Sequence, residues 1–400
     1  MPEAVIVATG RTPIGRAMKG SLIDCRPDDL TALVIKAVLA KLPQLDPQTV
    51  EDIMVGCAQP AGESGFNLGR VAGILAGLDV PGTTVNRYCS SSLQTIRMAA
   101  HAVKAGEGDV FIAAGVETVS RFAHGAADRG PHNPLFADAE ARTEARSAAV
   151  GDPWTPQPGL PDVYIAMGQT AENVAEHKQV SRQDMDEFAL MSQMRAVESQ
   201  QNGFFEREIV PVTTPDGTVV TKDDGPRPST TLEGLSQLKP VFREGGTITA
   251  GNACPLNDGA AAVVVMSDTR AAELGVTPLA RIVASGVSAL NPEIMGLGPV
   301  DAVRQTLKRA GMTIDDIDLV EINEAFAAQV IPSARELGID YDKLNVHGGA
   351  IALGHPFGQT GARIMTTLLN GLEDADKTFG LESMCVGGGQ GMAMIVERLG

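Results

Sequence analysis

The sequence lacks paired cysteines. Its five, Cys25, Cys57, Cys89, Cys254 and Cys385, are scattered, odd in number and without any C-x-x-C spacing. That excludes a disulfide framework and a cysteine-based metal knuckle, and it fits reduced thiols in the cytoplasm. Positive charge is also scarce: 32 basic residues face 49 acidic ones, for a net charge of −17. A surface of that sign repels phosphate backbones and anionic lipid, so neither nucleic acid nor a membrane surface is the expected partner. The longest apolar run, residues 260–266, falls far short of the about 20 residues a bilayer span needs. A basic leader is missing, because residues 4–8 enter a strand-like run at once, and the C-terminal residues are not a peroxisomal address. The expectation is a soluble cytoplasmic protein with no membrane insertion.

What is present is an ordinary folded composition, 44% apolar and 20% charged over 400 residues. That length accommodates two or three domains at roughly 100–200 residues each. Short β-branched runs alternate with longer helical patterns, which predicts α/β layering. The order also repeats. A helix over residues 30–42, an acidic step and a strand over 53–56 recur as a helix over 300–310, an acidic step and a strand over 319–322. A second unit, a helix over 93–105 followed by a strand over 109–115, recurs as a helix over 360–372 and a strand running into Cys385. Two similar halves are therefore expected. Between them, residues 120–248 change character, with Pro-rich and polar turns and a helix over 180–201 capped by Ser181. A loop-bearing insertion on a rigid scaffold commonly carries substrate recognition, although it can equally be a solvated excursion.

Four residues stand out for chemistry. Cys89, in Asn86-Arg87-Tyr88-Cys89-Ser90-Ser91-Ser92, sits at a helix start, where free N–H groups and the helix dipole should lower a thiol pKa. Read alone, such a cysteine is more often structural. Cys385 precedes Val386-Gly387-Gly388-Gly389-Gln390-Gly391, a turn whose backbone N–H groups can approach a ligand oxygen, or which simply ends a strand. His355 lies in a run dense in glycine and alanine (348–363), one of only six histidines, with an ordinary pKa near 6.5 suited to general-base work. Asn323 follows a strand end, where ligands bind in α/β sheets; it is an N-cap or a group that orders a water.

Together these segments resemble the thiolase family, acyltransferases that cleave or form 3-ketoacyl-CoA. The resemblance spans the chain, from Arg11-Thr12-Pro13-Ile14-Gly15 through residues 86–94, 249–262, 323–329 and 345–363 to 385–391. It implies an αβαβα layered fold of two similar halves: residues 1–119 with 249–270, and 271–400, with a loop domain over 120–248. It further implies that Cys89 is acylated, His355 activates it, and Cys385 exchanges a proton with the acetyl carbon. Asn323, through a water, and His355 would form one oxyanion hole; the N–H groups of Cys89 and Gly387 would form the other. The family works as a dimer or tetramer, with CoA as co-substrate and no permanently bound cofactor or metal.

For CoA the resemblance implies Arg227 and Thr230 at the nucleotide end. Cys254 stands where a serine near the pantetheine is usual, with Met167, Phe242 and Phe326 lining the acyl and pantetheine walls. Ser92 replaces a usual glycine, and His347 replaces a usual asparagine, placing a second imidazole near the catalytic loop. Ala166 stands where short-chain biosynthetic members carry histidine, which leans toward degradative thiolysis of a medium, long or ring-bearing acyl group. The expected reaction yields acetyl-CoA or propionyl-CoA and a shortened acyl-CoA, in fatty-acid or sterol side-chain β-oxidation; residues 62–67 and 86–92 look most like actinobacterial members. The alternatives are a biosynthetic acetoacetyl-CoA thiolase, a decarboxylating ketosynthase, which has no use for Cys385, and a non-catalytic acyl-CoA or lipid-binding relative, which should have lost one of the four residues.

Overall fold

A computed structural model of the chain describes residues 2–148 and 153–400. In the first half, β1 (Ala4–Arg11) leads to α1 (Pro27–Ala40), β2 (Asp52–Gly56), α2 (Leu68–Leu75), β3 (Gly82–Val85), α3 (Ser91–Ala105) and β4 (Val110–Thr118). The intervening chain carries α4 (Ala137–Ser147), α5 (Met167–His177) and α6 (Arg182–Gln201) before β5 (Asn257–Ser267). The second half follows with β6 (Ala280–Ala289), α7 (Gly298–Ala310), β7 (Leu319–Ile322), α8 (Ala327–Leu337), α9 (Thr360–Asp374), β8 (Phe379–Val386) and β9 (Gln390–Arg398).

The expected repetition is present strand for strand. One half orders its strands β3-β2-β4-β5-β1, the first three parallel and the rest antiparallel. The other places a short bridge at Leu344 beside β7-β8-β9-β6, with the same sequence of parallel and antiparallel neighbours. The two half-sheets join edge to edge where β1 pairs with β6, Val5 with Arg281 and Ile6 with Ala280. Helix α1 begins at Pro27, three residues ahead of the expected start, because proline's fixed φ suits a first helical position.

Alternation along the strands creates the layers. On the fully buried β5, Ala260, Ala262 and Val264 join the core beneath α1 and α2, while Ala261, Val263 and Val265 face α3 and α9. Met384 and Met392 of the second half meet the same central helices, whereas Leu381 and Ile395 pack with α7 and α8. The result is the layered αβαβα arrangement, with α3 and α9 sandwiched between half-sheets. Helices α5 and α6 of the inserted segment pack on the second half, where Ala171, Met185 and Phe188 share a core with Val300, Ile322 and Ala328.

The opening motif has a structural reason. Arg11 is fully buried, its Nε 2.7 Å from Glu208 and its two terminal nitrogens 2.7 and 2.9 Å from the Asp223 carboxylate. Asp223 also accepts from the Ile14 N–H at 2.7 Å, so the loop leading to Arg227 is fastened to the first strand.

Candidate active site

Cys89 ends a tight entry into α3. Tyr88 adopts φ +43°, and the surrounding hydroxyls hold the turn: Ser91 Oγ accepts from the Arg87 N–H at 2.9 Å and donates to the Tyr88 carbonyl at 2.7 Å. The thiol is buried. The expectation of a lowered pKa is overturned: burial pushes the Cys89 thiol up to about 11, although hydrogen bonds from the Gly387 N–H and its own N–H pull the other way. Desolvation outweighs the helix start because no cation among the described residues offsets it.

The Gly387 contact brings the two ends of the chain together. Cys385 is fully buried at the end of β8, two residues before Gly387. Burial raises its pKa well above the ordinary value, and negative charge on Cys89 or Cys254 raises it further. Cys254 is likewise pushed up, by burial first and then by charge on Cys89. Thus three of the five cysteines share one electrostatic neighbourhood. Gly388 and Gly389 turn the chain at φ +76° and +79°, and a Cβ on Gly389 would lie 2.3 Å from the Leu290 carbonyl.

His355 is buried on the loop before α9. Its Nδ1 lies 2.6 Å from Thr360 Oγ1, whose hydroxyl donates to the Pro356 carbonyl at 2.9 Å. The ring therefore keeps its proton on Nδ1 and presents the Nε2 lone pair, 3.3 Å from Asn323 Nδ2. Burial, reinforced by Arg363, drives the imidazole down to about 3, so it is neutral near pH 7. Asn323 is held by its N–H on the Ser383 carbonyl at 2.9 Å, and its Oδ1 is buried without a partner among the described residues. Ser92 accepts from the Ala362 N–H at 2.9 Å, joining the cysteine helix to the histidine helix. The hydroxyl that departs from the usual glycine thus serves the N-terminus of α9.

Two buried carboxylates were not singled out by sequence. Glu117 accepts from the N–H groups of Ala58, Gln59 and Gly358 at 2.9, 3.2 and 3.0 Å, tying the end of β2 to the histidine loop. Burial still raises it to about 7. Glu324 accepts from Ser192, Asn345 and the Ile351 N–H at 2.6, 2.9 and 3.1 Å, clamping α6 to the same loop.

The apolar candidates also gather. Phe242 and Phe326 meet edge to face at 6.0 Å, and Phe242 lies so close over Gly168, next to Met167, that a Cβ there would be 2.2 Å from the ring. Phe326 bridges to Ala253, and the Cys254 N–H donates to the Ala325 carbonyl at 3.0 Å. Arg227 is exposed, its N–H on Gln193 Oε1 at 3.0 Å and its carbonyl accepting from the Thr230 N–H at 3.2 Å. His347 does not join the site. Its ring stacks on Phe204 at 3.5 Å and bonds Ser199 at 3.1 Å, because the chain turns at Asn345 and Gly348 and packs the imidazole between α6 and α9.

Residues 4–269 match the thiolase N-terminal domain and residues 276–398 the thiolase C-terminal domain. The chain belongs to the thiolase family. It is 45% identical to the β-ketoadipyl-CoA thiolase of Acinetobacter baylyi, over the full length of both chains. Identity is 45% to the 3-oxoadipyl-CoA/3-oxo-5,6-dehydrosuberyl-CoA thiolase of Escherichia coli, again over all of both, and 43% to the 3-ketoacyl-CoA thiolase of Bacillus subtilis, over 99% of this chain and all of that one. The crystal structure of the Bacillus anthracis acetyl-CoA acetyltransferase superposes with a TM-score of 0.86 at 36% identity, covering 100% of this chain and 99% of that one. As a thiolase the chain is an acyltransferase, and its reaction is thiolytic cleavage of a 3-ketoacyl-CoA. No helix among the described residues is long and apolar enough to cross a membrane.

Proposed function

We propose that cleavage runs through an acyl group on Cys89. His355 Nε2 takes the Cys89 proton as the sulfur attacks the 3-keto carbon, and the oxygen that gains charge is held by the Cys89 and Gly387 N–H groups. The carbon–carbon bond then breaks, its electron pair leaving on the thioester enolate. Cys385 protonates that carbon and releases acetyl-CoA, or propionyl-CoA where the substrate is branched. The protonated His355, with a water on Asn323, holds the enolate oxygen. Free CoA gives its thiol proton to Cys385, attacks the acyl-Cys89 carbonyl and leaves with the shortened acyl group, while the proton on His355 returns to the Cys89 sulfur. Each lost oxyanion donor typically costs about 2.7–4 kcal/mol of barrier.

The observation that carries this reading is that the glycine turn after Cys385 lies against the nucleophile's turn: a Cβ on Gly387 would be 3.3 Å from the ring of Tyr88, the residue before Cys89. A thiol and an imidazole both neutral near pH 7 suit it, because the proton moves only when substrate arrives. Arg227 and Thr230 would meet the nucleotide end of CoA, and Cys254, Met167, Phe242 and Phe326 the pantetheine and acyl group. The apolar wall and the small Ala166 favour an acyl group larger than acetyl in a degradative role, in line with relatives named for β-ketoadipyl-CoA and 3-ketoacyl-CoA. We further infer a cytoplasmic homodimer or homotetramer: the free thiols suit a reducing compartment, and β3 ends the sheet beside the exposed Phe66 and Ile74. The test is thiolysis followed by loss of the 3-ketoacyl-CoA enolate absorbance. Cys89→Ser should be inactive, and Cys385→Ser should still be acylated but should not turn over. Full activity in either variant refutes the assignment.

A further inference from the structure

Near the end of β4, four neutral donors converge on one buried carboxylate, that of Glu117. Oε2 accepts from the Ala58 and Gly358 N–H groups at 2.9 and 3.0 Å. Oε1 accepts from the Gln59 N–H at 3.2 Å, with the Cys57 sulfur 3.6 Å away.

Each of the two turns gripped in this way leads to a reacting group. Residues 57–59 continue β2, whose last residue, Gly56, lies against the backbone of Ser91 and Ser92 at the start of the Cys89 helix, with no room for a Cβ. Gly358 lies three residues after His355, and a Cβ there would collide with the carbonyls of Val116 and Gly56. Gly115 of β4, the partner of Gly56, has the Gly358 carbonyl and Ser92 packed against it. These glycines bring β2, β4, α3 and the histidine loop into backbone contact, and Glu117 ties that contact with hydrogen bonds. The loop is thereby held on both sides of the imidazole, because Asn257 Oδ1 takes the His355 N–H at 2.9 Å.

We propose that Glu117 is a positioning residue of the reaction: its carboxylate fixes the separation of Cys89 and His355 by holding the two turns that carry them, and its protonation releases the histidine turn. The inference rests on the thiolase reading above. A carboxyl proton sits on an oxygen that already accepts, so the neutral acid holds fewer of these N–H groups. Burial raises Glu117 to about 7, which places that change near neutrality. The titratable groups facing it are the Cys57 thiol, from the end of β2, and Cys89, from the start of α3. Strand β5 places Gly259 opposite it, and the histidine loop meets it through the Gly358 N–H. Cys57 stays a thiol, raised well above its ordinary value by burial and then by charge on Glu117.

The experiment measures steady-state thiolysis of one 3-ketoacyl-CoA at pH 6 and pH 8 in the wild type, Glu117→Gln and Glu117→Asp. Glutamine has the shape of the neutral acid. The ratio of wild-type to Glu117→Gln kcat should therefore be within about threefold at pH 6 and at least about tenfold at pH 8, with the KM for CoA within about twofold. Aspartate keeps the charge but is too short to reach both turns, so Glu117→Asp should lose about tenfold or more of kcat at pH 8. Iodoacetamide should alkylate Cys89 in Glu117→Gln no more slowly than in the wild type, because a negative charge that raises the thiol has been removed. Thermal unfolding shows which variants are folded, and Glu117→Asp decides should the glutamine variant not fold. A kcat ratio that is the same at both pH values in folded Glu117→Gln, or full kcat in Glu117→Asp, overturns the proposal. Alkylation that slows in step with kcat places the defect in the nucleophile's own turn and overturns it too. Each of these results leaves the thiolase reading standing, whereas a wild type without thiolysis at either pH overturns both.

Discussion

Thr360 Oγ1 sits 2.6 Å from His355 Nδ1, and its own proton goes to the Pro356 carbonyl. This one hydroxyl decides which imidazole nitrogen faces the reaction. Thr360→Val removes the acceptor and leaves a buried N–H unpaired, at about 1–3 kcal/mol. The expected outcome is a roughly tenfold to hundredfold loss of kcat with the KM for CoA unchanged, measured by steady-state thiolysis. An unaltered kcat would remove Thr360 from this positioning role.

Burial holds Cys89 as a thiol and His355 as a neutral imidazole in the free enzyme. The thiolate fraction below about 11 therefore grows about tenfold per pH unit. Alkylation of Cys89 by iodoacetamide, followed by peptide mass spectrometry from pH 6 to 9, should climb steadily. A rate already flat at pH 6 would mean a preformed thiolate–imidazolium pair.

The glycines of the 387–389 turn differ in kind. Gly389 needs φ +79° and has no room for a Cβ, whereas on Gly387 a Cβ would only graze the Tyr88 ring at 3.3 Å. Gly389→Ala should cost at least about 2 kcal/mol of stability from the left-handed backbone and the clash with Leu290. Gly387→Ala should fold and keep its N–H, with a loss of activity within about tenfold. Thermal unfolding and kcat separate the two.

His347 is pushed down to about 4 by burial against Phe204. The unfolded imidazole binds a proton below its ordinary 6.5 while the folded one resists until about 4, so stability is lost as pH falls through that window. His347→Asn loses the stacking and should be less stable at pH 7. Its further loss between pH 7 and 5 should be smaller than the wild type's by on the order of 1 kcal/mol, allowing for partial exposure. Denaturant melts at the two pH values test this, and parallel losses would refute it.

Much of this was legible in the chain. The repeated helix–acidic step–strand order is local, so it survives into matching strand orders in the two halves. Cys89, His355 and Cys385 lie in short segments whose glycines and serines announce close backbone approach, and Asn323 is marked by its place directly after a strand. Glu117 and Glu324 carry no such mark, because their partners come from β2, α6 and the histidine loop, far away in sequence. Thr360 had a weak one, lying within the glycine-rich run itself. The pKa of Cys89 was misread because a helix start is visible in sequence whereas complete desolvation is not. His347 was misplaced for a similar reason: nearness in sequence to His355 says nothing of the reversal at Gly348.

Mass spectrometry after brief exposure to a 3-ketoacyl-CoA without added CoA examines the mechanism most directly. The account predicts the shortened acyl group on the peptide containing Cys89, removed on addition of CoA. Acyl label on Cys254 or Cys385 instead, or turnover with Cys89 replaced by serine, would contradict it.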